Sequence, residues 1–186
     1  MKKTIWIIVA GLVVIVCGYC WTTYNTLAKL DQGVEAAWAD VETQYQRRAD
    51  LIPNLVSTVK GYAKHEQETL NQVVEARAKA LASDDNVAEY AAAQQQVTAA
   101  LGRLIAIAEN YPDLKANTNF LELQAQLEGT ENRIAVARKK YNEIVKVYNT
   151  KTATFPSNLI AKMFDFEKEN LFSASEGAEQ APVVEF

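Results

Sequence analysis

The sequence has few residues that break helices or bind metals. Its 186 residues include 7 Gly, 4 Pro, 1 His and 2 Cys. Such a composition favours long, uninterrupted helices. Both cysteines, Cys17 and Cys20, lie near the N-terminus, so no disulfide framework can link the remainder of the chain. "CGYC" has the spacing of a redox dithiol, but no cation or helix N-terminus lies beside it, so we interpret the pair as small apolar residues.

An excess of basic charge is also absent. The chain carries 19 Lys and Arg against 23 Asp and Glu, a net charge of −4. Binding to nucleic acid requires a basic stripe or patch that meets the phosphates. We therefore predict no nucleic-acid partner.

The patterns that carry catalysis are missing as well. Di-metal sites in helical bundles use Glu-x-x-His pairs, but the residue three before His65 is Tyr62, and the protease spacing fails because "HEQET" ends in Thr69. No serine has nucleophile-elbow surroundings and no glycine-rich loop could hold phosphate. We predict no catalytic residue, no cofactor and no enzymatic activity; carboxylates alone remain the open alternative for a metal site or an enzyme.

What the sequence does have is one long apolar run at the start. The chain opens with "MKKTIWIIVAGLVVIVCGYCWTTY", and no charged residue follows Lys3 until Lys29. Residues 5–21 span roughly 25 Å as a helix, close to a bilayer core once the flanking residues are added. Aromatic side chains stand toward both ends, where they prefer the headgroup layer. We predict a transmembrane anchor over residues 1–24 that meets lipid through residues 4–24, with Ile5, Trp6 and Trp21 as anchor residues.

Two other interpretations of this run were weighed. A cleaved signal peptide needs a shorter apolar run and small residues before the cut, and Gly18 and Cys20 fit that pattern only weakly. A lipoprotein signal needs a small residue before its cysteine, whereas Val16 precedes Cys17 and Tyr19 precedes Cys20. The sequence favours an uncleaved anchor.

Charges flanking the run predict its orientation. Lys2 and Lys3 precede it, and only Lys29 follows closely. Positive charge is retained on the cytoplasmic side, so we expect the N-terminus inside and the bulk of the chain periplasmic or extracytoplasmic. The predicted location is the bacterial inner membrane, as a single-pass protein.

Beyond the anchor, apolar residues recur at steps of three and four. Four such stripes cover residues 27–45, 55–81, 87–111 and 120–148. This period is that of a helix with one buried face. Because no Pro or Gly cluster follows residue 24, we expect the anchor to continue into the first stripe. The fold class is therefore all-α, an N-terminal transmembrane helix continuing into an antiparallel bundle of about four long helices over residues 25–172. A short amphipathic piece at 159–164 docks on it, and the acidic tail, 173–186, is expected to be disordered.

Proline marks the expected breaks in the helices. Pro53 lies just before the second stripe, between the apolar residues Ile52 and Leu55, so it either starts a second helix after a tight connection at 50–52 or kinks one long helix. In both cases we expect an elbow there. Pro112, in "YPDLKAN", and Pro156, in "TFPSN", are expected to end helices. Asn86 and Asn119, each followed three residues later by Glu, are expected to cap the next helix.

Polar residues near these helix ends form the candidate interaction tip. In an antiparallel bundle the break near Pro53 and the loop at 111–117 lie at one end, so Arg47 or Arg48 is expected to pair with Asp113 or Glu109. Local capping and weak surface ion pairs are the alternative explanation. The candidate residues are Arg47, Arg48, Asn54, Tyr62, His65, Tyr111, Asp113 and Lys115.

Three blocks carry a resemblance to a known family. They are "AWADVETQYQRRADLIPNLVSTVKGYAKHE", "AENYPDLKANTNFLELQAQLEGTENRIAVARKKYN" and "FPSN". Together, and in this order, they resemble the LemA family of bacterial single-pass membrane proteins, over residues 24–172. The resemblance implies a helical bundle that follows a transmembrane helix. It also implies no established enzymatic activity and a role as a membrane-associated scaffold. It directs attention to the tip residues and to Pro53, Pro112 and Phe155.

The functional expectation is a non-enzymatic interaction or scaffold protein of the cell envelope. The stripes are broad enough to leave apolar surface after a bundle forms, so we expect a homo-oligomer. The alternative is a regulatory or adaptor subunit of a membrane protease or transporter.

Overall fold

A computed structural model describes residues 2–83 and 86–173. Within those residues the chain is helical and contains no strand, which confirms the all-α prediction. A 3-10 turn at Ala108–Asn110 lies between α3 and α4. The helices are α1 Lys2–Tyr62, α2 Gln67–Leu81, α3 Val87–Ile107, α4 Pro112–Lys115, α5 Thr118–Ala153 and α6 Ser157–Met163.

The apolar run forms the first part of α1. This helix is long and apolar enough to cross a membrane, with a mean hydropathy of 2.3 in its most apolar window. None of that window is buried within the protein, as expected of side chains that face lipid. No break separates the run from the amphipathic part, so the predicted continuity into the first stripe is confirmed.

The helix does not end at Pro53, so of the two alternatives the start of a second helix is wrong and one long helix through the proline is observed. Pro53 lies inside α1, which continues to Tyr62. A proline lacks the amide hydrogen that would bond the carbonyl four residues earlier, here that of Ala49. Arg77 on α2 donates its Nε–H to this carbonyl oxygen at 2.8 Å. The side chain therefore replaces the bond that Pro53 removes, and the helix passes through.

The other predicted breaks have mixed outcomes. Asn86 caps α3 as expected, because its Oδ1 accepts from the Ala88 amide at 3.0 Å. Pro112 stands at the start of α4, and α5 ends at Ala153, shortly before Pro156, so both breaks are confirmed. Asn119 is not a cap, since α5 already includes it. Asn117 caps that helix instead, and its Oδ1 accepts from the Phe120 amide at 3.0 Å.

The chain packs into two compact units. Of the described residues, the first unit comprises 2–40 together with 139–169, and the second comprises 41–83, 86–138 and 170–173. The sequence pattern predicted one domain over 25–172 and no such division. Of the expected disordered tail, 173–186, all but Ser173 lies outside the described residues.

The first unit has a small core next to the apolar run. Leu27 on α1 packs with Ile160 and Ala161 of α6, and Cys20 and Phe166 border them. The predicted docking of the short amphipathic piece is thereby observed. Farther along, the rings of Trp38 and Tyr141 lie 5.6 Å apart.

The second unit has the larger core. It combines the later part of α1 with α2, α3, α4 and the early part of α5. Residues at helical spacing point inward, as the stripes required. The most deeply buried members include Leu55, Val59, Val73, Leu104 and Leu114.

Candidate functional site

Three of the predicted tip residues, Tyr62, Tyr111 and Lys115, lie near the end of α1, where each contacts a residue outside the predicted set. Asn117 donates its Nδ2–H to the Tyr62 hydroxyl at 2.9 Å, and the Tyr111 hydroxyl donates to Glu66 Oε1 at 3.2 Å. Lys115 forms an ion pair with Glu109. The α1–α2 loop and the segment after α3 therefore lie side by side within the second unit.

The remaining tip residues lie elsewhere or only at the surface. His65 and Asp113 are exposed near this cluster, and Arg47 is exposed on α1. Asn54 lines a shallow cleft of about 360 Å³ together with polar residues of α5. Asp113 or Glu109 was expected to pair with Arg47 or Arg48. Arg48 pairs with neither of these carboxylates, because it lies in the interior.

Arg48 is the centre of a buried polar network. Arg48 is 1% exposed. Nη1 donates to Thr98 Oγ1 at 2.8 Å and to Glu131 Oε2 at 2.9 Å. Nη2 donates to the backbone oxygen of Gln94 at 3.0 Å and to its Oε1 at 2.7 Å. The expected ion pair with Asp113 or Glu109 is replaced by one with Glu131, because Arg48 faces α3 and α5 from the core side of α1.

Aromatic rings complete the surroundings of this arginine. The guanidinium carbon lies 5.0 Å from the centroid of the Tyr45 ring, a cation–π distance. Tyr45 in turn meets Tyr90 edge-on, with centroids 5.4 Å apart. Burial raises the pKa of Tyr45 against the opposing charge of Arg138. Burial also raises the pKa of Tyr90 to about 12, with the Glu42 carboxylate adding to the effect.

A cleft of about 310 Å³ opens beside the network. Tyr45, α3 and α5 form its walls, and Gln94, Thr98 and Glu131 belong both to the network and to the lining. Glu131 is half exposed at this edge. The cleft therefore combines a carboxylate, amides and a hydroxyl with apolar alanine side chains.

An extended piece of the chain itself lies along this cleft. Leu171, Phe172 and Ser173 are part of its lining, and Phe172 is buried. The Arg138 guanidinium carbon stands 4.9 Å from the centroid of the Phe172 ring. Arg138 Nη2 also donates to the Ser173 backbone oxygen at 3.1 Å. The surface thus holds an aromatic side chain and a backbone carbonyl at once, which is how a groove holds a peptide.

The arrangement offers hydrogen bonds and ion pairing to a bound group. Among residues 2–83 and 86–173, no three His, Cys, Asp or Glu side chains are grouped so as to hold a metal ion. Cys17 and Cys20 are free thiols on the apolar part of α1. The side chains of the cleft can make polar and aromatic contacts with a bound group.

Sequence reasoning missed several members of the site. They are Gln94, Thr98, Glu131, Arg138 and Phe172. Gln94 did leave a signal, because it stands four residues after Tyr90 and three before Val97 on an apolar stripe. A polar residue at such a position must find a partner when it is buried. Phe172 left none, because its segment has no helical period.

Over the described residues, the fold and the site define an all-α protein with a candidate membrane span and an interior arginine network. A family model described as the LemA family matches residues 37–186. The chain therefore belongs to the LemA family, as the sequence resemblance predicted.

Named relatives agree with this assignment. Protein LemA of Metamycoplasma hominis is 27% identical over 152 residues, which cover 82% of this chain and 69% of that protein. Magnetosome protein MamQ 2 of Paramagnetospirillum magneticum is 23% identical and covers 87% of this chain and 68% of its own length. Magnetosome protein MamQ of Magnetospirillum gryphiswaldense is 22% identical, and the match covers 80% of this chain and 64% of that protein.

Proposed function

We propose that this chain is a membrane-anchored, non-enzymatic interaction protein of the bacterial cell envelope that associates with copies of itself. The observation that carries the proposal is the continuity of α1, which contains the candidate span and supplies buried residues to the cores of both units. A helix built in this way ties the helical domain to the membrane. The names of the MamQ relatives refer to the magnetosome.

Exposed apolar residues supply the reason to expect self-association. Val74 and Leu81 stand seven residues apart on one face of α2 and are 50% and 46% exposed. Val136 on α5 is 68% exposed. A stripe at this spacing is the pattern by which one helix packs against another. Helix-to-helix contact between copies of the second unit would bury these side chains.

The proposed orientation keeps the N-terminus in the cytoplasm. Lys2 and Lys3 precede the span, and the helical domain follows it on the extracytoplasmic side. Partners would then be envelope proteins or other copies of this chain.

Photocrosslinking tests self-association. A photoreactive amino acid is placed at Val74 or Leu81 of the full-length protein in its own membrane, and products are identified by mass spectrometry. The proposal expects a crosslinked dimer of this chain from both positions. Lys79, exposed on α2 outside this stripe, is the matched control and should give markedly less. A chain that is monomeric in mild detergent at every concentration, with no self-crosslink, would contradict the proposal.

The alternative is an adaptor subunit of a membrane protease or transporter. The cleft favours it, because this surface already holds an extended segment with an aromatic side chain. A photoreactive residue at Gln95, in the cleft lining, would then capture one envelope protein reproducibly. Capture of copies of the same chain from Gln95 would instead support self-association.

A further inference from the structure

The first unit exposes three large apolar side chains at its short terminal helix. Leu159 and Met163 stand four residues apart on α6 and are 59% and 63% exposed. Phe155, just before α6, is 75% exposed. Residues four apart lie on one helix face. We call Phe155, Leu159 and Met163 the α6 face, a group of exposed apolar side chains of the kind that marks an interaction surface.

The opposite side of α6 holds the helix against a particular level of α1. Ile160 and Ala161 pack on Leu27, beside Cys20. Tyr24 stacks against Phe164 and Phe166, with ring centroids 4.7 and 5.8 Å apart. These contacts fix α6 beside residues 20–27 of α1.

That level is where the apolar run ends. Cys20 still belongs to the run, and Leu27 stands about 9 Å beyond Trp21 along the helix axis. The headgroup layer on each side of a bilayer is roughly 5–8 Å thick. Cys20 and Tyr24 of α1 therefore lie at the level of the interfacial layer of a bilayer that α1 spans, and Leu27 lies at its outer edge. Amphipathic elements in this layer place their apolar residues among the acyl chains.

A groove beside α6 points to the same partner. It has a volume of about 630 Å³ and lies between α1, α5 and the turn that contains Phe155 and Pro156. Tyr19, within the apolar run, lines one wall, and Lys146 and Lys151 line another. Apolar surface next to lysines complements a phospholipid, with its acyl chains on one side and its phosphate on the other.

We propose that the α6 face and this groove are a second membrane-contact surface, embedded in the interfacial layer of the bilayer that α1 crosses. Phe155, Leu159 and Met163 enter the acyl boundary, and Lys146 and Lys151 bind the phosphates of anionic lipids, whose charge no choline group balances. The inference rests on the proposed anchoring by α1. Its partner is the lipid surface, because the face is continuous with the end of the span. The first unit is then held to the membrane at two places.

Site-directed spin labelling of the full chain tests the proposal. Cys17→Ala and Cys20→Ala remove the native thiols, and single cysteines are introduced at Leu159, Met163, Val13 or Glu143. The labelled protein is placed in phosphatidylcholine vesicles that contain phosphatidylglycerol. Power saturation then compares collisions with oxygen, which is enriched in lipid, and with a water-soluble nickel complex. Val13 reports the apolar run, and Glu143, exposed on α5, reports water.

The proposal expects labels at 159 and 163 to be oxygen-rich and shielded from nickel, at values between those at 13 and 143. Nickel access equal to that at 143, with 13 in hydrocarbon, would overturn the α6 contact and leave the anchor standing. Water at position 13 would overturn the anchor and this inference together. Shielding accompanied by spin–spin broadening would overturn the lipid contact in favour of a second copy of the chain.

The lysines are tested separately with the label at 159. In vesicles containing phosphatidylglycerol, the double variant Lys146→Gln/Lys151→Gln should raise nickel access relative to the unsubstituted chain. In phosphatidylcholine alone the two proteins should agree. An identical response in both lipids would overturn the assignment of phosphate binding to these lysines.

Discussion

Arg48 places a full charge in the interior of the second unit, where water cannot solvate it. Removing a cation from water is costly unless the surroundings replace its hydration. Here Glu131, Thr98 and Gln94 accept four hydrogen bonds from the two terminal nitrogens. Those acceptors come from α3 and α5, so the network aligns both helices with α1. A well-packed apolar core would give as much stability as this network. The network therefore contributes by fixing which residues face each other.

Replacing Glu131 by Gln tests this alignment. The buried guanidinium would lose its counter-charge while the side-chain volume stays almost the same, so we expect unfolding in urea to require about 2 kcal/mol less. Glu131 is half exposed, which keeps the loss below that of a fully buried pair. Glu128→Gln, on the exposed side of the same helix, is the matched control and should change stability by less than about 0.5 kcal/mol. Equal effects of the two changes would mean that Arg48 needs no carboxylate.

Buried tyrosines predict a loss of stability in alkali. Burial raises the pKa of Tyr90, Tyr141 and Tyr148 to about 12, against 10.0 for an exposed phenol. Between these values the unfolded chain releases protons that the folded chain keeps, so folding stability is complete below pH 10 and falls as the pH rises toward 12. Absorbance of tyrosinate against pH, with circular dichroism in parallel, should show late ionisation that coincides with loss of helix. Ionisation of all tyrosines near pH 10 in a still-folded protein would contradict this.

Whether a residue of the site could be predicted from the sequence depends on its position on the apolar stripes. Arg48 falls three residues after Tyr45 and four before Ile52, so its burial could be predicted from the same period that identified the helix. Its partners could not, because Glu131 lies 83 residues away and meets it only after α5 packs. Placing Arg48 at a helix end followed from the mistaken break at Pro53.

At the scale of the helix, Pro53 and Arg77 form a compensating pair. Pro53 leaves the Ala49 carbonyl without its helical donor, and a buried carbonyl without a partner costs about 1–3 kcal/mol. Arg77 reaches across from α2 and supplies the missing donor. The pair also joins α1 to α2 where the helix ladder is weakest.

A double-mutant cycle measures this compensation. Arg77→Met alone should lower the free energy of unfolding by about 1–2 kcal/mol, since the Ala49 carbonyl then loses its only replacement donor. In a Pro53→Ala background the restored amide can bond that carbonyl, and the same Arg77→Met change should cost less than half as much. Lys79→Met, also on α2 but exposed, serves as the control. A cost of Arg77→Met that is the same in both backgrounds would show that the two residues act independently.

The helices were predictable where period and caps agreed. Asn86 and Pro112 stand at boundaries that the structure confirms. The end of α1 at Tyr62 was not predicted, because "AKHE" contains neither Gly nor Pro. The break was placed at Pro53 instead. Only the contact with Arg77 explains why that proline does not break the helix, and no local pattern reveals it. The choice of Asn117 over Asn119 as cap likewise depends on where the preceding short helix stops.

For the whole molecule, α1 joins the candidate membrane span to the helical domain. The predicted all-α architecture and the continuity of its first helix both followed from a single apolar run passing into a period of 3.6. The division into two units did not, because it depends on which residues pack together and leaves no mark on the stripes.

Hydrogen–deuterium exchange of the full-length protein in lipid nanodiscs tests the central claim most directly. The claim is that one unbroken helix leaves the lipid and enters the packed domain. It predicts the slowest exchange across residues 5–21, and continued protection through 22–30 into the domain. Rapid exchange across 22–30, flanked by protected segments, would reveal a flexible linker and contradict it, as would unprotected amides across 5–21.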